Sequence, residues 1–346
     1  MKQHRLVFAA PGRMTIEAGD APEPAADEVL VETRYSAISP GTEMLIYRGQ
    51  WPQGVPLDTT IDALAGDFTY PVSYGYCAVG RVIRLGAAVN GDWLGRRVFA
   101  FQPHQDLFCA RPETLHPIAA DIDDETALFL PSMETAVNLL LDGNPLLGEK
   151  VIVVGTGIIG LLTTALLSRF PLGSLAGLDS YPLRREAALR LGADVCFDPA
   201  DTTSFTQLGG LVGQGGEADL VYELSGNPAG LDMALALTRF SGRVVVGSWY
   251  GAKKLPLDLG SFFHRGRVSF ISSQVSSIAP HLTGRWSSTR RLALAWEMLR
   301  RIAPASCISH RFALAEANSA YSLIDRSPKE TILVIFDYQM DKQQKA

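Results

Sequence analysis

Cysteine is scarce: the 346 residues hold four, and Cys77, Cys109, Cys196 and Cys307 form no CxxC or CxxH pair. Neither a disulfide framework nor a small zinc knuckle is expected, and the thiols read as reduced and mostly buried. Positive charge is also short, with 31 Lys and Arg against 36 Asp and Glu and a formal net charge of −5. Binding a phosphate backbone needs a basic excess, so nucleic acid is not expected as a partner. The first thirteen residues alternate polar and apolar without a continuous apolar stretch. They read as a strand, not as a secretory signal, and a cytoplasmic location is the default. Long hydrophobic runs are nearly absent too. The one candidate, 151–168 (VIVVGTGIIGLLTTALLS), opens with four β-branched residues and breaks at Gly155 and Gly157. It is close to the length of a membrane span, but it reads as a buried parallel strand turning into a packed helix, so no membrane partner is expected. Internal repeats and low-complexity tracts are missing as well.

What is present suits a folded chain of more than one core: 47% hydrophobic and 19% charged residues. Residues 5–38 read as short strands (RLVF, MTIEA, EVLVETRYSAI), and CAVGRVIRLG and RRVFAF continue the β character. Between them Trp51 to Tyr70 reads as a long polar, acidic loop. Helical spacing of apolar residues after an acidic start predicts a helix over 123–141. From Lys150 the order becomes strand, helix, strand, helix: VIVVG, a helix over 158–169, LAGLD, a helix over 182–191, then ADVCFD. ADLVYELSG, a helix over 228–239 and GRVVVGSWYG follow. This alternation predicts a parallel sheet covered on both faces. A basic Ser-rich stretch, a helix over 291–302 and the strand ETILVIFD close the chain.

GTGIIG at 155–160 follows a predicted strand and opens a predicted helix, and Asp179 ends the next strand. That context makes it a dinucleotide motif: Gly155 for the tight turn, Gly157 for backbone approach to a pyrophosphate, Gly160 for helix–strand packing. Thr156, Ile158 and Ile159 complete the loop at the helix N-terminus. A carboxylate at Asp179 accepts from ribose hydroxyls and repels a 2′-phosphate, which favours NAD(H); Arg184 and Arg185 nearby leave NADP(H) open.

A β-rich start, a mid-chain nucleotide unit and a short C-terminal return resemble the medium-chain dehydrogenase/reductase family across the whole chain. LRREAALRLGAD at 183–194, YELSGNPAGLDMAL and GRVVVGS agree with it. The resemblance implies an α/β fold: a GroES-like, β-rich catalytic domain with an inserted Rossmann domain on a doubly wound parallel sheet. The implied boundaries are 1–132, 133–274 and 275–346. It also implies cofactor contacts from Ser225, Gly226 and Ser248, and a homodimer joined near 268–273.

In zinc alcohol dehydrogenases of this family a Cys, a Gly-His-Glu motif and a further Cys or acid supply the catalytic ligands. The matching positions here hold Pro40, then Tyr76 and Cys77, then Leu130. Pro, Tyr and Leu are not normal zinc ligands, and the structural-zinc cysteines are missing, so no zinc is expected. SPGTE, PVSYGYCAVG, FQPHQ, PSMETA, GSWYG and ISSQV resemble a zinc-less subgroup that includes bacteriochlorophyllide dehydrogenase.

Without a metal, proton handling falls to side chains. Thr42 matches the family's relay hydroxyl, or else bonds its own turn. Glu43 matches a carboxylate that the family holds with an Arg, structural or catalytic. Tyr76 takes a metal-ligand position, as a proton donor or an aromatic wall. Glu134 stands one turn beyond Leu130, either as a carboxyl with a raised pKa or in a buried ion pair. Trp51 in the long loop, His104, Trp249 and Tyr250 are read as substrate-pocket residues, with a structural role the competing reading for His104. The expectation is a zinc-independent NAD-linked enzyme that interconverts an alcohol and a carbonyl on a fairly large small molecule. Reduction of an activated C=C bond and a non-catalytic dinucleotide sensor are the alternatives.

Overall fold

The chain leaves its first folded unit near residue 130 and returns to it near residue 303. The computed structural model describes residues 2–201, 203, 216–255 and 257–343. One unit is Met1–Leu130 with Ala303–Ala346, the other Pro131–Ile302.

In the first unit β1 (Lys2–Ala10) and β2 (Arg13–Asp20) form an antiparallel hairpin. β3 (Val29–Ala37) is followed by the short helix α1 (Glu43–Tyr47), then β4 (Ala78–Leu85), β5 (Arg97–Ala100), β6 (Leu107–Ala110), β7 (His116–Pro117) and helix α2 (Asp124–Ala127). β3 is apolar on both faces where it crosses the sheet, with Val29, Leu30 and Val31 all buried. A strand covered on both sides takes this continuous apolar form.

The expected helix over 123–141 is two helices, α2 and α3 (Leu130–Gly143). Asp123 caps α2 by accepting from the Thr126 N–H, and Pro131 restarts the chain because proline has no N–H to continue a helix.

The second unit contains β8 (Lys150–Val154), α4 (Ile158–Leu167), β9 (Ser174–Leu178), α5 (Pro182–Arg190), β10 (Val195–Phe197), β11 (Ala218–Glu223), α6 (Pro228–Leu237), β12 (Thr238–Val246), β13 (Ser269–Ser272) and α7 (Ser288–Ile302). Among the described residues its six strands are all parallel, in the order β10-β9-β8-β11-β12-β13. That is the doubly wound order 3-2-1-4-5-6, with the reversal at β8 and β11. β13, the strand expected to join two copies, is the outer strand of this sheet. The uncharged run 151–168 is split between β8 and α4, and among the described residues no helix is long and apolar enough to cross a membrane.

β14 (Ile308–Phe312), helix α8 (Ala317–Arg326), β15 (Leu333–Asp337) and helix α9 (Tyr338–Gln343) return to the first unit. Its large sheet runs β14-β15-β3-β4-β5-β7, with β6 also on β3. Leu6, Phe8, Ile38, Met44, Ile46, Tyr74, Tyr321 and Phe336 pack in its core. The sequence boundary at 274 is earlier than the observed return at 303. The reason is local: Arg291 on α7 bonds Glu134 and Asn138 of α3, which keeps 275–302 in the second unit.

Candidate active site

The glycine loop is built as its chemistry requires. Gly155 has φ +89°, and a Cβ there would stand 2.6 Å from the Ser225 backbone. At Gly160 a Cβ would meet the Gly155 carbonyl oxygen at 2.0 Å, so only glycine lets α4 start against the turn. At Gly157 the nearest atom to a Cβ is Arg184 Nη1 at 3.8 Å, which leaves an open cradle above the loop. Ile158 is buried and Ile159 packs on the apolar core, so these residues can serve a ligand only through backbone N–H groups at the helix start.

Asp179 stands after β9 and braces this loop. Its Oδ2 accepts from the Thr156 N–H at 2.9 Å and its Oδ1 from the Tyr181 N–H at 2.9 Å. Each oxygen keeps a further lone pair for a ribose hydroxyl. Arg185 is occupied, donating to the Asp179 carbonyl and to Asp198, and the Arg184 guanidinium lies over the Tyr181 ring.

The loops after β11 and β12 are tied together by a residue the sequence reading missed. Glu223, fully buried, accepts from the Ser225 N–H and hydroxyl and from the Tyr250 phenol. Ser248 Oγ accepts from the Gly226 N–H at 2.8 Å. Tyr250 therefore braces the loops through its hydroxyl, while Trp249 is 45% exposed. A carboxylate directly after the apolar run Leu220–Tyr222 was the available signal for Glu223. These glycines, Asp179 and the loops after β11 and β12 fit a dinucleotide.

In the first unit Tyr76 is half-buried and its phenol donates to Ser39 Oγ. Burial and the Glu43 charge push its pKa up, to about 12, against hydrogen bonds with Ser39 and Thr42. The hydroxyl is thus a donor at neutral pH. Thr42 makes no side-chain cap bond to α1. Glu43, with no exposure, accepts from the Ser39 N–H at 2.8 Å, from the Tyr321 phenol and from His104 Nε2 at 3.0 Å. Where the resemblance implies an arginine, His104 and Tyr321 hold the carboxylate.

His104 is also fully buried, with Nδ1 2.7 Å from Ser36 Oγ, which in turn pairs with the Tyr338 hydroxyl. Glu43, His104 and Ser36 have the spacing of an acid–His–Ser triad, but all three are sealed from solvent and Ser36 is held by Tyr338. The pocket reading of His104 is corrected accordingly, because a buried carboxylate needs it as a donor. Trp51 is corrected too: it is 8% exposed and packs against Phe68 and Tyr74, its indole N–H on the Val55 carbonyl.

Glu134 takes the ion-pair alternative, 3.0 Å from Arg291 Nη2. Burial raises its pKa while Arg291 pulls the other way.

The positions where zinc ligands would stand hold a set that does not fit the ion. Pro40 and Leu130 offer no side-chain donor. The Cys77 thiol, which burial pushes strongly upward, donates to the Leu128 carbonyl. Among the described residues no three His, Cys, Asp or Glu side chains come together as a metal site.

A family model described as zinc-binding dehydrogenase matches residues 159–295. D-guloside 3-dehydrogenase of Escherichia coli K12 is 25% identical over 309 residues, covering 85% of this chain and 87% of that protein. The chain is similar to the zinc-type alcohol dehydrogenase-like, medium-chain dehydrogenases/reductases. Two solved structures share the fold of this dehydrogenase. An alcohol dehydrogenase of E. coli CFT073 complexed with NADH has a TM-score of 0.76 at 19% identity, over 97% of this chain and 99% of that one. A zinc-binding dehydrogenase of Sinorhizobium meliloti 1021 bound to NADP has a TM-score of 0.75 at 19% identity, with the same coverages. This dehydrogenase is thus an alcohol/carbonyl oxidoreductase.

Proposed function

We propose that this dehydrogenase works without zinc, interconverting a secondary alcohol and a carbonyl on a fairly large, hydroxylated small molecule with NAD(H). The observation that carries the reading is the Tyr76 phenol bonded to Ser39 beside Thr42, at a position that the resemblance matches to a metal ligand. The motifs shared with the zinc-less subgroup support it, and the glycoside named for the E. coli relative makes a sugar hydroxyl the first substrate class to test.

The dinucleotide, when bound, gives or takes the hydride. Gly155, Gly157 and Gly160 with the start of α4 would hold its pyrophosphate, and Asp179 its adenosine ribose. Ser225, Gly226 and Ser248 border its other half. NAD(H) is favoured because Asp179 would repel a 2′-phosphate and Arg185 is already engaged. Tyr76 supplies the proton to the oxygen formed on carbonyl reduction and takes it back on oxidation. Ser39 and Thr42 hold that phenol and carry the proton away. Glu43 fixes the Ser39–Thr42 turn from beneath and touches no substrate.

The test is product analysis with NADH and a panel of ketosugars, aryl ketones and enones. Reduction of the C=O bond is expected. Saturation of C=C with the carbonyl intact would overturn the reading, as would tighter binding of NADPH than NADH for the cofactor preference.

A further inference from the structure

We infer that Arg291 is a positioning residue for the nicotinamide half of the dinucleotide, because it fixes the loop that follows β13. The inference rests on the dinucleotide reading above. In the observed strand order Asp179 lies on the β9–β10 side of the reversal, where the adenosine half belongs. The other half then faces the C-terminal ends of β11, β12 and β13. After β13 that end is the stretch 273–277, which has no regular structure and is partly exposed.

A loop of this kind would ordinarily sample many arrangements, yet this one is anchored from beneath. Arg291 is 3% exposed. Its Nη2 donates to the Val275 carbonyl and its Nη1 to the Ser277 carbonyl at 3.2 Å. On its other side Nε donates to Glu134 at 3.1 Å, Nη1 to Asn138 Oδ1 at 2.6 Å, and Nη2 lies 3.0 Å from Glu134. The five N–H donors of a guanidinium are thereby matched to acceptors. Asn138 adds a bond to Ser273 Oγ at 3.1 Å. Glu134 and Asn138 are one turn apart on α3, so a single helix face carries both supports. The loop is thus pinned at 273, 275 and 277 through the same buried group that holds α7 to α3. Lysine, a point donor, could not reach this set of acceptors.

Without the pin the loop spends less time in its binding arrangement, and apparent cofactor affinity falls by the competent fraction. Only the nicotinamide half should notice. The experiment titrates the full-length protein with NADH and with 5′-AMP, which carries the adenosine half alone. Wild type is compared with Arg291→Lys, Arg291→Met and the double variant Glu134→Met/Arg291→Met. The double variant leaves no unpaired buried carboxylate, so it keeps the test alive where the single Met variant does not fold.

The wild type should bind both probes. Arg291→Met and the double variant should weaken NADH about tenfold while 5′-AMP changes less than about twofold, with Arg291→Lys between. Unchanged NADH affinity in the folded double variant overturns the inference, and so does equal loss of both probes. A wild type that binds neither probe overturns the dinucleotide reading itself.

Discussion

Glu43, buried, and Glu134, part-buried, are two acids that sequence position alone sets near the chemistry, and the fold satisfies them in different ways. Glu43 has no arginine or lysine among its hydrogen-bond partners: a histidine, a phenol and one backbone N–H hold it. Glu134 faces a guanidinium that is itself anchored to Asn138 and two carbonyls. The first arrangement depends wholly on the carboxylate, since every donor is aimed at it. The second has redundancy, since Arg291 keeps three acceptors when Glu134 is gone. Two carboxylates withdrawn from solvent therefore need not matter equally.

The largest expected effect is at the first site. Glu43→Leu strands three donors, two of them on fully buried side chains, and should cost about 4 kcal/mol of stability, read from denaturant midpoints. Glu134→Leu should cost about 2 kcal/mol by the same measurement, because Arg291 stays bonded and Glu134 keeps some solvent contact. A Glu134 cost equal to or above that of Glu43 would break the comparison.

The smallest effect is alkaline. Burial and the Glu43 charge raise the Tyr321 pKa above its ordinary 10.0, and burial does the same for Tyr338. A phenol with a raised folded pKa contributes stability that is complete below its unfolded pKa and is lost as pH rises through the folded one. Stability should therefore be level up to about pH 10 and fall by about 1 kcal/mol or more by pH 11. Glu43→Gln, which removes the negative neighbour of Tyr321, should soften that fall. An unchanged alkaline slope in this variant would separate Tyr321 ionisation from the Glu43 cluster.

Much of the second unit could be read from the chain alone, because its information is local. Apolar strands alternating with helices specify the parallel sheet, and GTGIIG with Asp179 marks the loop that the fold then braces by the Thr156 and Tyr181 N–H groups. The first unit was less legible because its decisive pairings are remote. Glu43 and His104 are 61 positions apart and Glu43 and Tyr321 278 apart, and no periodicity encodes such partners. Trp51 went to the pocket for a similar reason: loop composition does not tell which aromatic ring turns inward to meet Phe68 and Tyr74. Other misses were avoidable. Ala317, Ala320, Tyr321 and Ile324 are the buried stripe of α8 and stand at helical spacing in the sequence. Arg291 shares a stripe with Ala295, Met298 and Leu299, and a lone arginine on an apolar helix face implies a buried acceptor set.

The central claim is that Tyr76, not a metal ion, handles the proton. It is tested most directly by turnover at saturating cofactor, in protein whose zinc content is measured on the same sample, for wild type and Tyr76→Phe. Full wild-type turnover after chelation, with zinc far below one per chain, and a kcat lower by about 10²-fold or more in Tyr76→Phe are predicted. Zinc near one per chain with activity lost on chelation, or an unchanged kcat in Tyr76→Phe, would contradict the account.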